Sequence, residues 1–369
     1  MPGMRLSVIA VTRHGAALGR RAAGCLRQQG HPVRLLVPAR FRDGTPGEEA
    51  FSGPLAGVIA AEFERAQGLV LIMALGIVIR LLAPLVRDKR TDPAVVTLDE
   101  KGQFVISTLS GHLGGANDLA RSLAAGLGAA AVITTATDVR GRPAVDVLAR
   151  QYDLAMEPFA AVRTVNAALV NGEPVTFCSQ FTLPLPQADG IHRLPWEQLR
   201  TGRINGWLVL ITNRTIAPPA ANTLFLRPRN LVAGIGCRRG IDAQPVREAL
   251  ERALALAGCS PLSLQALATV DLRAEEAALQ IVAGERAVPL FSFSRAAIQS
   301  VYDRKEHNLN FSHFVYEKIG VGGVCEPVSL LTAPRAVLIL PKTSHRGVTV
   351  ALAEVNSGWW EPARAMPRT

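Results

Sequence analysis

Aromatic side chains are scarce, 5% of 369 residues, while 49% of the chain is hydrophobic. That balance describes an alanine-rich α/β protein with a core large enough for two or three domains, and it omits the glycine-aromatic signature of RNA-binding sheets. Cysteine is equally sparing. Cys25, Cys178, Cys237, Cys259 and Cys325 stand far apart and form no CxxC pair. An odd number at such spacing excludes a disulfide framework and a zinc knuckle, and points to reduced thiols in a cytoplasm. Long apolar runs are missing as well: Leu69 to Val86 is divided by Gly76 and carries Arg80 and Pro84, so it reads as a buried strand turning into a short helix. The apolar stretch near the N-terminus, Leu6 to Val11, is too short for a secretory signal. There is no P-loop and no G-x-S-x-G elbow, which removes Walker-type nucleotide chemistry and leaves a serine acyl-enzyme only Ser110 as support.

Positive charge is in surplus. Forty Lys+Arg against 30 Asp+Glu give +10, spread along the chain without a basic tail. A polyanionic ligand suits that balance; nucleic acid does not, because zinc-finger spacing and basic-region heptads are both absent.

The chain opens as a βαβ unit: a strand at Leu6–Thr12, a helix with Leu18, Ala22, Cys25 and Leu26 on one face, and a strand at Val33–Val37. Strand patterns at Leu69–Met73, Val95–Leu98, Phe104–Ser107 and Ala131–Thr134 follow, alternating with helical segments as a mostly parallel sheet requires. Residues 1–139 form the first α/β domain on this reading, and residues 140–229 a smaller, less regular middle region rich in proline, in which only Gly206–Thr212 and Thr223–Leu226 read as strands. A second α/β domain, residues 230–369, opens at Leu231–Ile235. Its glycines, Gly234, Gly236 and Gly240, are spaced G-x-G-x-x-x-G, one residue off the dinucleotide fingerprint, and the acidic ribose ligand is missing. The fold class is therefore α/β: two mostly parallel α/β domains joined by the middle region.

The densest chemistry lies at Thr108-Leu109-Ser110-Gly111-His112-Leu113-Gly114-Gly115-Ala116-Asn117-Asp118. A strand precedes this turn, and Ala116, Leu119, Ala120, Leu123 and Leu127 recur at helical spacing after it, with Gly128 placed to stop the helix. Carboxyl ends of strands are where open α/β sheets bind ligands, and helix-start amides uncrowded at Gly114 and Gly115 favour an anion. His112 is the candidate base.

Beyond these residues, Gly76-Ile77-Val78-Ile79-Arg80, Ala83-Pro84-Leu85, Arg87 to Val95, Asp99-Glu100-Lys101-Gly102, Ser110 to Asn117 and Thr134 to Val139 resemble the cobalt-precorrin-5A hydrolase (CbiG) family of anaerobic cobalamin biosynthesis. Gly234 to Gly240, Gly320 to Pro327, Lys342 and Gly347 to Ala351 extend the resemblance to the C-terminal part, in the family's order. The middle region matches loosely, and Asn310-Phe311-Ser312 stands where relatives often carry Asn-Pro-Ser.

The resemblance implies a cytoplasmic hydrolase that opens the ring A δ-lactone of a cobalt-bearing tetrapyrrole and releases acetaldehyde, with no cofactor of its own because cobalt arrives in the substrate. Such a substrate carries several carboxylates, for which surplus Arg and Lys are suited. On this expectation His112 and Asp88 are catalytic, Asp88 as an orienter or alternative base. Arg80, Arg87, Lys89, Ser110, Gly114, Gly115, Asn117, Gly236, Glu326 and Lys342 bind substrate. Each also has an ordinary structural reading: charges around the Pro93 turn, a cap for Asn117, a helix-start acid for Glu326. His307 and His313 with Asp303 and Glu306 match no standard metal motif, so no protein metal site is expected. Transient contacts with neighbouring pathway enzymes are the other partner expectation, and a noncatalytic corrinoid-binding scaffold is the alternative to an enzyme.

Overall fold

The computed structural model describes residues 3–304, 308–333, 335–356 and 358–359. The chain divides into two compact units, residues 1–147 and residues 148–369.

The first unit runs β1 (Leu6–Ala10), α1 (Arg13–Gln28), β2 (Val33–Pro38), β3 (Glu48–Phe51), α2 (Leu55–Arg65), β4 (Gly68–Ile72), α3 (Leu75–Leu82), β5 (Ala94–Leu98), β6 (Phe104–Leu109), α4 (Ala116–Leu127), β7 (Ala130–Val132) and α5 (Ala136–Val139). Its seven strands are ordered β3-β2-β1-β4-β5-β6-β7. Strand alternation sorts the core onto two faces. Leu6, Val8 and Ala10 of β1 pack with Ala16, Ala22 and Leu26 of α1 and Leu119 and Leu123 of α4, while Ile9 faces the other way with Leu69, Leu71, Ile59 and Val78. Helices thus cover both sides, as the near-continuous apolar strands require. The Leu69 to Val86 stretch is the strand β4 followed by the short helix α3, and among the described residues no helix is long and apolar enough to cross a membrane.

One pairing departs from the expected parallel order. β5 and β6 are antiparallel, with Val96 opposite Ser107, whereas β6 and β7 are parallel. Only Asp99 to Gln103 separate β5 from β6, too few residues for the crossover that parallel neighbours need. The carboxyl end of β6 therefore lies at the edge where β5 begins, opposite the carboxyl ends of the main parallel set.

Helix α6 (Val145–Gln151) contains the boundary between the units. The second unit continues with β8 (Leu154–Glu157), α7 (Ala161–Asn171), β9 (Val175–Ser179), β10 (Ile191–Leu194), β11 (Trp207–Ile211) and β12 (Thr223–Pro228). These strands form a sheet of order β10-β9-β11-β12-β8, parallel except for β8. The middle region is more regular than its prolines suggest, because Pro174, Pro184, Pro186 and Pro195 fall between strands and not within them.

The remaining elements are β13 (Leu231–Cys237), α8 (Ala243–Leu256), β14 (Leu264–Val270), α9 (Ala277–Glu285), β15 (Leu290–Phe293), α10 (Arg295–Arg304), α11 (His313–Ile319), α12 (Cys325–Leu331), β16 (Val337–His345) and β17 (Val348–Glu354). Their sheet, β15-β14-β13-β17-β16, joins a parallel βαβαβ set to an antiparallel hairpin that turns at Arg346-Gly347. Within this unit the two sheets are tied by buried polar groups. Asn213 Nδ2 donates to Asn230 Oδ1 at 3.0 Å and to Glu354 Oε2 at 2.6 Å, and Asn230 Nδ2 donates to the Val355 carbonyl at 3.0 Å.

Candidate functional site

Because β6 and β7 are parallel neighbours, the loops leaving their carboxyl ends meet. The β6 loop carries His112, and β7 is followed by Thr135 and the short helix α5, which carries Thr137 and Asp138. His112 Nε2 lies 3.0 Å from Asp138 Oδ2 and 3.0 Å from Thr137 Oγ1, and Nδ1 lies 3.2 Å from Asp146 Oδ2. Both ring nitrogens are thus engaged. The group is mostly sheltered: the side chains of His112, Asp138 and Asp146 are 12%, 16% and 8% exposed.

Asn117 fixes the spacing between the two loops. Its Nδ2 donates to Asp138 Oδ2 at 2.8 Å and to Thr135 Oγ1 at 3.1 Å, while its Oδ1 accepts from Ser107 Oγ at 2.6 Å. Arg121, one turn further along α4, holds the other oxygen of Asp138.

These contacts set the charge. The hydrogen bond to Asp146 raises the His112 pKa above its ordinary 6.5, outweighing the burial that lowers it, and Asp138 adds to the rise. Burial pushes Asp138 upward, but its bonds to Arg121 and His112 prevail and keep the carboxyl below its ordinary 3.8. The pair is a carboxylate beside an imidazole of strengthened basicity.

The turn itself is tightly closed. Ser110 takes a left-handed φ of 56° and Gly115 one of 87°. A methyl group on Gly114 would lie 2.4 Å from Ser110 Cβ and 2.8 Å from the Ser110 carbonyl oxygen. The amides of Gly115, Ala116 and Asn117 donate to the carbonyls of His112, Ser110 and Gly111. The expectation of open helix-start donors at Gly115 therefore needs correction, since the turn satisfies these amides internally. A second correction concerns the edge of the sheet: the site lies at the carboxyl ends of β6 and β7 alone, not at those of the main parallel set.

The Arg87 to Asp92 loop abuts this turn. Ser110 Oγ donates to the Asp92 carbonyl at 3.1 Å, and the buried Asp92 carboxylate accepts the Arg87 amide at 3.0 Å. Arg87 itself is 74% exposed and 3.4 Å from Glu64. Arg80 and Lys89 are exposed. Asp88 binds Arg90 at 2.5 Å, and that hydrogen bond lowers its pKa to about 2, a poor proton acceptor. No described hydrogen bond joins Asp88 to His112.

In the second unit, Glu326 and Lys342 come together. Glu326 is 2% exposed; its Oε1 accepts the Lys342 amide at 2.8 Å and Asn310 Nδ2 at 2.7 Å, and its Oε2 accepts the Asn310 amide at 2.8 Å. Gly236 lies where a methyl would meet Thr349 Oγ1 at 2.6 Å and Val324 Cβ at 3.5 Å. His307 and Glu306 lie outside the described residues.

Asp138, Thr137, Asp146 and Arg121 were not assigned roles from sequence. Asp138 and Thr137 stood within a block of the family resemblance, which was a usable signal. Asp146 carried none, since it follows Pro143 in a stretch read as the start of the middle region.

This is a two-unit α/β protein in which a sheltered histidine stands between two carboxylates, a grouping suited to acid–base chemistry. Three family descriptions match along it: "Cobalamin synthesis G N-terminal" at residues 57–138, "Cobalamin biosynthesis central region" at 143–228, and "Cobalamin synthesis G C-terminus" at 231–353. A cobalt-precorrin-5A hydrolase of Priestia megaterium is 31% identical over 362 residues, covering 94% of this chain and 94% of that protein. One from Salmonella typhimurium is 36% identical over 351 residues, 94% of this chain and 97% of that protein. Protein CobE of Sinorhizobium sp. is 40% identical over 124 residues, 33% of this chain and 79% of that protein. The chain belongs to the CbiG family.

Proposed function

We propose that this chain is a cobalt-precorrin-5A hydrolase of cobalamin biosynthesis: it opens the ring A δ-lactone and releases the two-carbon unit as acetaldehyde, leaving cobalt-precorrin-5B. The observation that carries this reading is likeness at 31% and 36% identity to curated hydrolases over 94% of the chain. The carboxylate-flanked His112 supplies the chemistry such a reaction needs.

The reaction begins with water attacking the lactone carbonyl carbon. The acyl C–O bond breaks, giving the ring A carboxylate and an alkoxide on the bridging carbon. That alkoxide forms the aldehyde C=O as the carbon–carbon bond to the ring breaks, and the conjugated macrocycle takes up the electron pair. Two protons leave the attacking water: the base accepts the first as the water attacks, and the second leaves the new carboxyl group, which is acidic enough to lose it to solvent.

The Asp138–His112 pair is that base. A water on the Asp138 side passes its proton into the carboxylate–imidazole pair, and Asp146 stabilises the imidazolium that forms, in the manner of a buried acid behind a catalytic histidine. Asn117 and Arg121 are positioning residues that hold Asp138 toward the ring. Arg87, Lys89 and Arg80 meet the substrate's peripheral carboxylates, cobalt enters only as part of the substrate, and five free thiols suit a cytoplasmic site.

The test is direct. Purified chain incubated with cobalt-precorrin-5A under anaerobic conditions releases one equivalent of acetaldehyde; binding of the substrate with no acetaldehyde would favour the noncatalytic corrinoid carrier.

A further inference from the structure

The His112 ring stands between two carboxylates, and an ionised carboxylate only accepts hydrogen bonds. A neutral imidazole carries one N–H, so it satisfies one of them and turns a lone pair on the other. With the proton on Nδ1, the Nε2 lone pair faces Asp138; with the proton on Nε2, the Nδ1 lone pair faces Asp146. Distances of 3.2 Å to Asp146 and 3.0 Å to Asp138 do not choose between these tautomers.

Thr137 breaks the near-symmetry. Its Oγ1 lies 3.0 Å from Nε2, and among the described residues it has no other hydrogen-bond partner. Thr137 is 5% exposed, so the ring nitrogen is where its hydroxyl proton goes. A hydroxyl both donates and accepts, which makes this the one described group able to donate to a lone pair of the ring. It serves Nε2 alone, because the only described partner of Nδ1 is Asp146. Asp138 is shared as well: Asn117 Nδ2 donates at 2.8 Å to the oxygen that faces the ring, and Arg121 holds the other. Its pull on a proton at Nε2 is weakened accordingly. The hydroxyl is also held in place, since a β-branched side chain has few rotamers and the Arg142 amide anchors the Thr137 carbonyl at 2.8 Å.

We propose that Thr137 is a positioning residue whose hydroxyl donates to His112 Nε2 and fixes the neutral imidazole as the Nδ1–H tautomer, leaving Nε2 as the atom that receives a proton. The hydrolase reading above enters only in where that proton comes from; the tautomer belongs to the free chain. Once Nε2 is protonated, Asp138 accepts the new N–H and the Thr137 hydroxyl no longer needs to donate. Thr137 therefore supports the neutral ring more than the cation. It opposes the charged groups that face the ring, Asp146 of α6 and Asp138 of α5, the latter with Arg121 of α4 behind it.

The experiment uses the full-length chain with isotope-labelled histidine, read by nitrogen NMR across pH, the His112 signals being assigned by their loss in His112→Ala. On the alkaline side of its titration the parent ring shows a protonated Nδ1 and a bare Nε2. Thr137→Val keeps the shape and removes the hydroxyl; it shifts the neutral ring toward the Nε2–H form and raises the pH at which the ring titrates. Thr137→Ser keeps the parent spectrum. In the acetaldehyde assay Thr137→Val lowers kcat/KM at neutral pH about three- to tenfold, the range of one neutral hydrogen bond, and moves the acid limb to higher pH, while Thr137→Ser restores most of the rate. A parent ring protonated on Nε2, or a Thr137→Val ring with the parent's tautomer and titration, overturns the proposal. So does equal damage in Thr137→Val and Thr137→Ser with melting curves lowered alike, which would make the residue a packing element only. The expected tautomer shift in a chain that yields no acetaldehyde from cobalt-precorrin-5A would retire the hydrolase reading and leave the role of Thr137 standing.

Discussion

His112 and Asp146 stand 34 positions apart in the chain and meet at 3.2 Å, Nδ1 against Oδ2, inside the first unit. This contact does most to raise the His112 pKa, and with His112 in the proposed base it sets the expected response of activity to pH. The proton-accepting form must be present, so kcat/KM falls as pH drops through an apparent pKa above 6.5. Asp146→Asn removes the largest raising influence and moves that acid limb to lower pH while lowering the maximal rate. A pH profile identical to the parent would detach Asp146 from the base. For stability the sign is opposite: a folded-state pKa above the unfolded one gives a contribution that is whole below pH 6.5 and lost as pH rises through the folded value. Melting temperatures of parent and Asp146→Asn should therefore converge on the alkaline side.

Asn117 is 3% exposed and bonds to Ser107, Thr135 and Asp138 at once. Asn117→Ala leaves those partners unsatisfied, at a cost of about 1–3 kcal/mol. In a unit of this size that lowers Tm by roughly 2–4 °C per kcal/mol. Turnover falls further than stability alone requires, because Asp138 loses its brace. A melt and an acetaldehyde assay on one preparation separate the two effects.

Much of this architecture could be read in the sequence, and the parts that could not have physical reasons. Leu6 to Ala10 and Gly68 to Ile72 announce buried parallel strands because both faces are apolar. The direction of β6 is hidden in Phe104 to Ser107, since an apolar strand looks alike in either sense. Only the short Asp99 to Gln103 connection betrays the hairpin. The turn around His112 was legible from its glycines, and its strand-to-helix setting holds. Its partners were not, because Asp138 and Asp146 reach it through tertiary packing that no local period encodes. In the middle region, β9 and β10 are short and flanked by proline, so propensity masks a sheet that burial of Phe177 and Cys178 secures.

Gly114→Ala and Gly57→Ala make a matched pair. The first places a methyl 2.8 Å from the Ser110 carbonyl oxygen and 3.3 Å from the Ala94 amide nitrogen, backbone atoms that cannot step aside. It should destabilise by about 1–3 kcal/mol and displace His112. The second meets nothing within 4 Å on the exposed side of α2 and should stabilise by about 0.4–1 kcal/mol with activity intact. Urea midpoints measure both, and equal behaviour of the two variants would refute the steric argument.

Arg87 is 74% exposed, so the substrate contact proposed for it is one that salt erodes. Arg87→Ala should weaken cobalt-precorrin-5A binding at low ionic strength, with the difference from the parent shrinking as the screening length falls to about 8 Å at physiological salt. Arg80→Ala should behave alike. Titrations in which neither variant changes the salt dependence of Kd would remove these arginines from substrate recognition.

The two candidates for the base, Asp88 and the Asp138–His112 pair, separate cleanly by substitution. Asp88, held by Arg90 with a pKa near 2, accepts a proton poorly at neutral pH and makes no described contact with the histidine cluster. Asp88→Asn should leave turnover within a few-fold of the parent. His112→Ala removes the group between Asp138 and Asp146 and should cost roughly a hundredfold or more in kcat, the range associated with losing a general base. Substrate binding should be nearly retained in it, since the exposed Arg80, Arg87 and Lys89 are untouched. The opposite order of effects, with Asp88→Asn crippled and His112→Ala active, would move the chemistry from the β6–β7 junction to the Arg87 to Asp92 loop.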